Sequence, residues 1–252
     1  MEKKTEFGVT GNILKLIAMI TMVVDHAASG IYERYLIANG IVDFDLYMIL
    51  REVGRMAFPI YCFLLVEGYF HTRNVKKYVL RLLVLAVISE YPYDVAVNPA
   101  PSIWGHCNVI FTLLIGLILI WVIDLSRKNS FLSIESDLAR RIIAVLIYLG
   151  GCALAYFIRT DYGLVGVATV VIMYCLRGED RIRRIIAFAA GVLVLTLGCG
   201  PIEAYAFLML IPIAFYNGKR GSNSPVIRYA FNTFYPVHLI IIALVAYGMG
   251  LM

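Results

Sequence analysis

Charge is what this chain lacks most. Only 15% of its 252 residues are Asp, Glu, Lys or Arg, against about a quarter in soluble domains, which excludes an ordinary water-soluble enzyme. Its five cysteines (Cys62, Cys107, Cys152, Cys175 and Cys199) form no Cys-x-x-Cys and no His/Cys metal spacing. An odd, scattered set argues against a disulfide framework or a zinc site, and no metal is expected; most lie in apolar runs and read as small core residues. No internal repeat, low-complexity tract or soluble domain interrupts the chain.

What is there is apolar: 61% hydrophobic residues and a mean hydropathy of +0.82. The runs are too long for an outer-membrane barrel. The fold class is therefore an all-α polytopic membrane protein. Apolar runs between polar breaks give about nine spans, near 12–31, 55–71, 76–96, 107–124, 139–157, 162–177, 182–199, 203–217 and 227–249. The lipid bilayer is the first partner.

Sorting the 22 Lys and Arg residues onto alternate sides sets the orientation. The inner set is Lys3, Lys4, Lys15, Arg73, Lys76, Lys77, Arg81, Arg127, Lys128, Arg140, Arg141, Arg177, Arg181, Arg183, Arg184, Lys219, Arg220 and Arg228. The outer set is Arg34, Arg51, Arg55 and Arg159. Eighteen against four places the N-terminus in the cytoplasm and the C-terminus outside. The net charge of +5 is explained by this asymmetry and needs no nucleic acid. Lys3 and Lys4 before an apolar stretch, with Ala27-Ala28-Ser29 after it, imitate a signal peptide. Asp25 and His26 at the end of that stretch argue against one. The outer connection, about 32–54, reads as an interfacial amphipathic helix.

Asp25 and His26 are the costly residues of the first span. Charged groups in hydrocarbon are rare and mark sites, and a carboxylate beside an imidazole fixes its tautomer and raises its basicity. Helical rise makes the cytoplasmic cations a depth ruler. His26 lies roughly 16 Å beyond Lys15, His238 roughly 15 Å beyond Arg228 and Glu90 roughly 14 Å beyond Arg81. Three ionisable residues from distant spans thus share the midplane of a core about 30 Å thick, which suggests a lined central cavity.

Around it stand Arg55 at the outer start of the second span, Glu67 at its inner end, and Asp94 after Glu90 in the third. Glu67 has Arg73 and His71 as candidate partners. Arg73, Lys77 and Arg81 follow an i, i+4, i+8 spacing, a cationic stripe suited to the phosphates of a cytosolic donor, with His71 and Asn74 beside it. Asn108 and Thr112 open the fourth span and would line the outer mouth. Pro59, Pro92, Pro212 and Pro236 lie in or near spans and free carbonyls there; Pro236 follows Tyr235 and stands two residues before His238. The stretch 139–217, nearly free of internal ionisable residues, reads as structural helices. The single domain 1–252 thus divides into a motif-bearing catalytic half (12–124), structural helices (139–217) and a final helix (227–249) closing the site.

Leu14-Lys15 with Asp25-His26, Arg55 with Ala57-Phe58-Pro59, Glu67-Gly68-Tyr69 followed by His71-Thr72-Arg73-Asn74, Lys77-Tyr78, Ser89-Glu90 with Pro92-Tyr93-Asp94, Asn108 with Phe111-Thr112, and Tyr235-Pro236 with His238 together resemble the TraX family of membrane proteins. The resemblance is densest from 14 to 116 and returns at the last span; the middle matches in hydropathy alone. The family's namesake is linked to N-terminal acetylation of conjugative pilin, and the family is similar to membrane acyltransferases that use a buried histidine and cytosolic acetyl-CoA. The resemblance implies a membrane acetyltransferase of the bacterial cytoplasmic membrane, with acetyl-CoA as co-substrate. It does not imply the pilin substrate, because acceptors change on a retained fold.

On this reading His26, oriented by Asp25, takes a proton from an acceptor amine or hydroxyl (a peptide N-terminus, sugar or small molecule) entering from outside. Arg73, Lys77 and Arg81 hold the donor's phosphates, and Glu90 and His238 position groups. An acetylated His26 is the alternative route. Two other classes compete. One is a transporter with a midplane proton or solute relay, disfavoured by the lack of visible inverted repeats. The other is a non-catalytic membrane component of a conjugation or secretion apparatus, which leaves the convergent ionisable groups unexplained. Exposed apolar helices also permit a homodimer.

Overall fold

The computed structural model describes residues 8–42, 44–98, 105–127 and 136–252. Asp43 of the outer connection, and Lys3, Lys4 and Lys128 of the inner set, lie outside the described residues. Helices dominate, and among the described residues β-structure is limited to isolated bridges at Val9–Tyr216 and Cys107–Thr160.

Helix α1 (Gly11–Ala27) starts where Thr10 Oγ1 accepts the Ile13 N–H, satisfying one orphan donor of the first turn. It runs through a π-helical turn at Ala28–Tyr32 into α2 (Glu33–Ala38). The whole rod, Gly11–Ala38, is about 42 Å long, longer than the first apolar run implies. Arg34, expected at the outer surface, is buried on it. Its Nη2 donates to the Val95 and Asn98 carbonyls at 3.0 and 2.7 Å, a cation on the last turn of α5 (Val75–Val97), where the helix dipole is negative. The π turn brings Gly30 so close to α5 that an added Cβ would stand 2.4 Å from the Ala96 carbonyl oxygen.

The outer connection does carry an amphipathic helix, α3 (Asp45–Gly54). Leu46, Met48 and Ile49 are exposed on it, while Arg51 and Gly54 face α1. Next come α4 (Ala57–His71), α6 (Val109–Arg127), α7 (Asp137–Phe157), α8 (Gly163–Leu176) and α9 (Arg181–Cys199). A 3₁₀ segment, Pro201–Met209, leads into α10 (Leu210–Ala214). Helix α11 (Pro225–Gly248) ends the fold. Pro59 lies in the first turn of α4, where its missing N–H is an orphan position, so it starts a helix and kinks none.

Each of the nine apolar segments contains helix. Among the described residues, five helical stretches are long and apolar enough to cross a membrane: Gly11–Ala38, Val109–Ser126, Asp137–Phe157, Arg181–Cys199 and Pro225–Gly248. Helices α4 and α8 and the segment Pro201–Ala214 are shorter, and α5 carries five charged residues along its 23.

The connections gather at two ends of the bundle. At one, Val9 bonds to Phe215 and Asn217, and Gly11 and Asn12 donate to Lys219 and Arg220; Glu67 meets Arg177 there and Tyr69 meets Asp124. At the other, Cys107 pairs with Arg159 and Asp161, and Arg55 reaches Tyr162 and Glu203. The larger core joins Leu14, Phe63, Leu117, Met173, Phe188 and Leu195 of α1, α4, α6, α8 and α9. A second core of Met22, Ala86, Tyr93, Ile110, Tyr235 and Leu239 joins α1, α5, α6 and α11, and the histidines sit within it.

Candidate functional site

His26 comes from the buried face of α1 and His238 from the middle of α11, 212 residues later. Their rings stack with centroids 5.1 Å apart and planes 11° from parallel, and His26 Nδ1 lies 2.8 Å from His238 Nε2. Tyr93 and Tyr235 meet His26 edge-on at 6.4 and 6.2 Å, and Phe234 stacks on His238 at 4.7 Å. His238 Nδ1 lies 2.9 Å from the Phe234 carbonyl of its own helix.

That carbonyl assigns the protons. It can only accept, so His238 Nδ1 carries hydrogen and the neutral ring presents a lone pair at Nε2. His26 Nδ1 must then donate, which leaves His26 Nε2 unprotonated. A chain of two oriented bonds thus ends in a free imidazole lone pair, as a general base requires.

Asp25 does not orient His26. Successive helical residues point about 100° apart, and the Asp25 carboxylate turns instead to two arginines. Arg55 Nη2 donates to Oδ1 at 2.6 Å, and Arg51 Nη1 lies 2.9 Å from Oδ2. Gly54 makes this approach possible, since a Cβ there would fall 2.2 Å from Asp25 Oδ1. Arg55 is held on every side: Nη1 also donates to Tyr162 Oη at 3.1 Å and Glu203 Oε1 at 3.3 Å, and Nε donates to the Arg51 carbonyl. The second Glu203 oxygen, Oε2, is buried with no hydrogen-bond partner.

Asp25, His26, Arg51, Arg55, Tyr93 and Asp161 are among the residues lining a cavity of about 100 Å³, room for a few waters or a small reacting group. Burial pushes the carboxyl of Asp161, in the turn between α7 and α8, above the usual carboxylate range, with Asp25 adding to the rise and Arg55 opposing it.

The other predicted residues fall elsewhere. Glu90 Oε2 accepts from the Asn108 backbone N–H at 3.0 Å and from Asn108 Nδ2 at 2.6 Å, so the pair builds the start of α6. Asn108 is fully buried, and its remaining bonds go to Ala86 and Ile110. Thr112 Oγ1 donates to the Asp161 carbonyl. Asp94 accepts from Asn98 at 2.6 Å.

At the opposite end, Glu67 pairs with Arg177 at 3.0 Å and with neither Arg73 nor His71. His71 Nδ1 meets its own helix at the Glu67 carbonyl, and Asn74 caps α5 by accepting the Lys77 N–H. Arg73, Lys77 and Arg81 are exposed. They lie at the far end of α5 from Tyr93, which is twelve residues, or about 18 Å, beyond Arg81.

Sequence reasoning assigned 139–217 to structure alone, yet Asp161, Tyr162 and Glu203 from that stretch complete the site. Asp161 and Glu203 sit at span ends, where charge is unremarkable, so hydropathy gave no signal. Arg51 was legible only as an outer cation.

Residues 10–246 match the family model described as TraX protein. Over 245 residues the chain is 31% identical to the "probable fimbrial assembly protein FimC, serogroup H1" of Dichelobacter nodosus, covering 90% of this chain and 91% of that one. No solved structure matches. With the match spanning nearly all of the sequence, the chain belongs to the TraX family.

Proposed function

We propose that the protein is a membrane acetyltransferase that moves an acetyl group from cytosolic acetyl-CoA to an amine or hydroxyl acceptor entering from outside. The observation that carries this reading is the Phe234–His238–His26 chain, which leaves one oriented base at the cavity wall. The Lys15 and Arg220 end of the bundle faces the cytoplasm and the Arg55 end faces out, as the cation asymmetry requires.

His26 Nε2 takes the acceptor's N–H or O–H proton as its nitrogen or oxygen attacks the thioester carbon. The imidazolium so formed is stabilised through Nδ1 by His238. The C–S bond then breaks, and the departing thiolate takes up a proton from His26. Arg55, locked between Asp25, Glu203 and Tyr162, is a preorganised positive charge beside the reacting centre. The CoA enters from the cytoplasmic end, at the α5 start, and leaves its phosphates there.

The test is release of CoA thiol and incorporation of labelled acetyl in nanodiscs, offered an N-terminal peptide amine, an amino sugar and a small hydroxyl compound. We expect turnover with one of these classes and a loss of about 10²–10⁴-fold in His26→Ala. Undiminished transfer by His26→Ala would overturn the mechanism. Acid-quenched mass spectrometry separates direct transfer from an acetylated His26. The likeness to a probable fimbrial assembly protein favours a second reading, a non-catalytic component of a pilus or fimbrial assembly apparatus. On that reading no CoA thiol is released at all.

A further inference from the structure

The three helices that frame the histidines also frame a cationic mouth at their other end. Residues 8–24, 68–89 and 204–252 contain no Asp or Glu. These stretches include the first halves of α1, α5 and α11 and the strap before α11. The strap lies against the start of α1, where Gly11 and Asn12 donate to the Lys219 and Arg220 carbonyls at 2.9 Å.

One turn further in, Lys15 lies with its Nζ over the Phe231 ring, 4.9 Å from the centroid. Its charge neighbours are Arg220 and Arg81, both exposed, and Arg81 lies over the Tyr78 ring. Three cations from the N-terminal, middle and C-terminal parts of the chain are thus within electrostatic range, in stretches that supply no carboxylate.

Elsewhere at this end several cations have partners. Arg177 pairs with Glu67, Arg183 with Asp180, and Arg184 donates to the Glu179 carbonyl. Among the described residues, the α1, α5 and α11 stretches at this end carry cations and no carboxylate. Each of these helices starts at this end with no acidic residue in its first turn, so their positive dipole ends add to that charge. Like charges held together this way destabilise the fold unless an anion joins them.

We propose that Lys15, Arg81 and Arg220 form a phosphate-binding site for the head of the acyl donor, with Arg73 and Lys77 outside it. Lys15 is eleven residues from His26, about 16 Å along α1. A ligand that touches both must carry its phosphates that far from its acyl carbon. A small acyl phosphate cannot bridge this gap; a nucleotide thioester on a long arm can. The donor's identity rests on the acetyltransferase reading, but phosphate binding does not require turnover.

The experiment uses the full chain in phosphatidylcholine nanodiscs, titrated with adenosine 3′,5′-bisphosphate. Binding should steepen at low salt and weaken at least about tenfold in Lys15→Gln and Arg220→Gln. It should persist in Arg73→Gln and His26→Ala, with Arg220→Lys retaining most of it. Nanodiscs containing phosphatidylglycerol separate the two phosphate sources. If only the lipid is bound, and Arg220→Gln releases it, the phosphate site stands and its occupant is a headgroup.

Wild-type bisphosphate and lipid binding in both Lys15→Gln and Arg220→Gln overturns the site, as does the absence of binding of either phosphate form. Arg220-dependent binding without acetyl transfer keeps the site and removes the enzyme reading. Acetyl transfer with an unchanged KM for acetyl-CoA in Arg220→Gln does the reverse.

Discussion

His238→Phe tests the base most directly. Phenylalanine keeps a flat ring for the stack on Phe234 and His26, at 4.7 and 5.1 Å, and removes the Nε2 lone pair along with the Nδ1–H that meets the Phe234 carbonyl. His26 Nδ1–H then becomes a buried donor without an acceptor, which costs about 1–3 kcal/mol. The ring escapes that cost by moving its proton to Nε2, and in that tautomer it is no longer a base there. The competent tautomer must be repopulated at the same free energy, so kcat for acetyl transfer should fall about 5- to 150-fold. KM for acetyl-CoA should hold, because nothing near Arg81 changes.

The assay is thiol release in nanodiscs, paired with nitrogen NMR of histidine-labelled protein. The chain has only four histidines, so the His26 signals are assignable. Wild-type protein should show His26 protonated at Nδ1, and the variant should show it protonated at Nε2. A folded His238→Phe protein with the wild-type rate and an Nδ1-protonated His26 would refute the relay.

Two further outcomes follow from the Asp25 cluster. In Gly54→Ala the new methyl meets Asp25 Oδ1 and forces α3 away from α1, an overpacking that costs about 1–3 kcal/mol. A lowered thermal midpoint and loss of transfer are expected, and an unchanged midpoint would show that α3 shifts freely. In Arg55→Gln both Asp25 and Glu203 lose a cation in a mostly buried setting, a change that costs about 3–5 kcal/mol. Adding Glu203→Gln should recover part of that stability, because the two sites share one network. Strict additivity of the two losses would argue against it.

Periodicity and hydropathy determined much of this protein. An apolar chain must close its backbone hydrogen bonds in helices, and cations that avoid crossing the bilayer set where the connections lie. Both consequences are legible one residue at a time. The shared depth of His26 and His238 was legible too, because helical rise converts residue number into distance. Their meeting ring to ring was decided by tertiary structure, since it needs α1 and α11 to be neighbours with both faces turned inward.

The partner of Asp25 was decided there as well. Adjacency in sequence suggested His26, but the helix turns the two side chains apart, and α3 and its C-cap supply Arg51 and Arg55, which hydropathy marks only as outer cations. Glu203 and Asp161 joined the site for the same reason. Sequence determined which residues are too polar for the membrane; packing decided which of them face one another, because hydrogen bonds and ion pairs depend on a few ångströms that periodicity cannot specify.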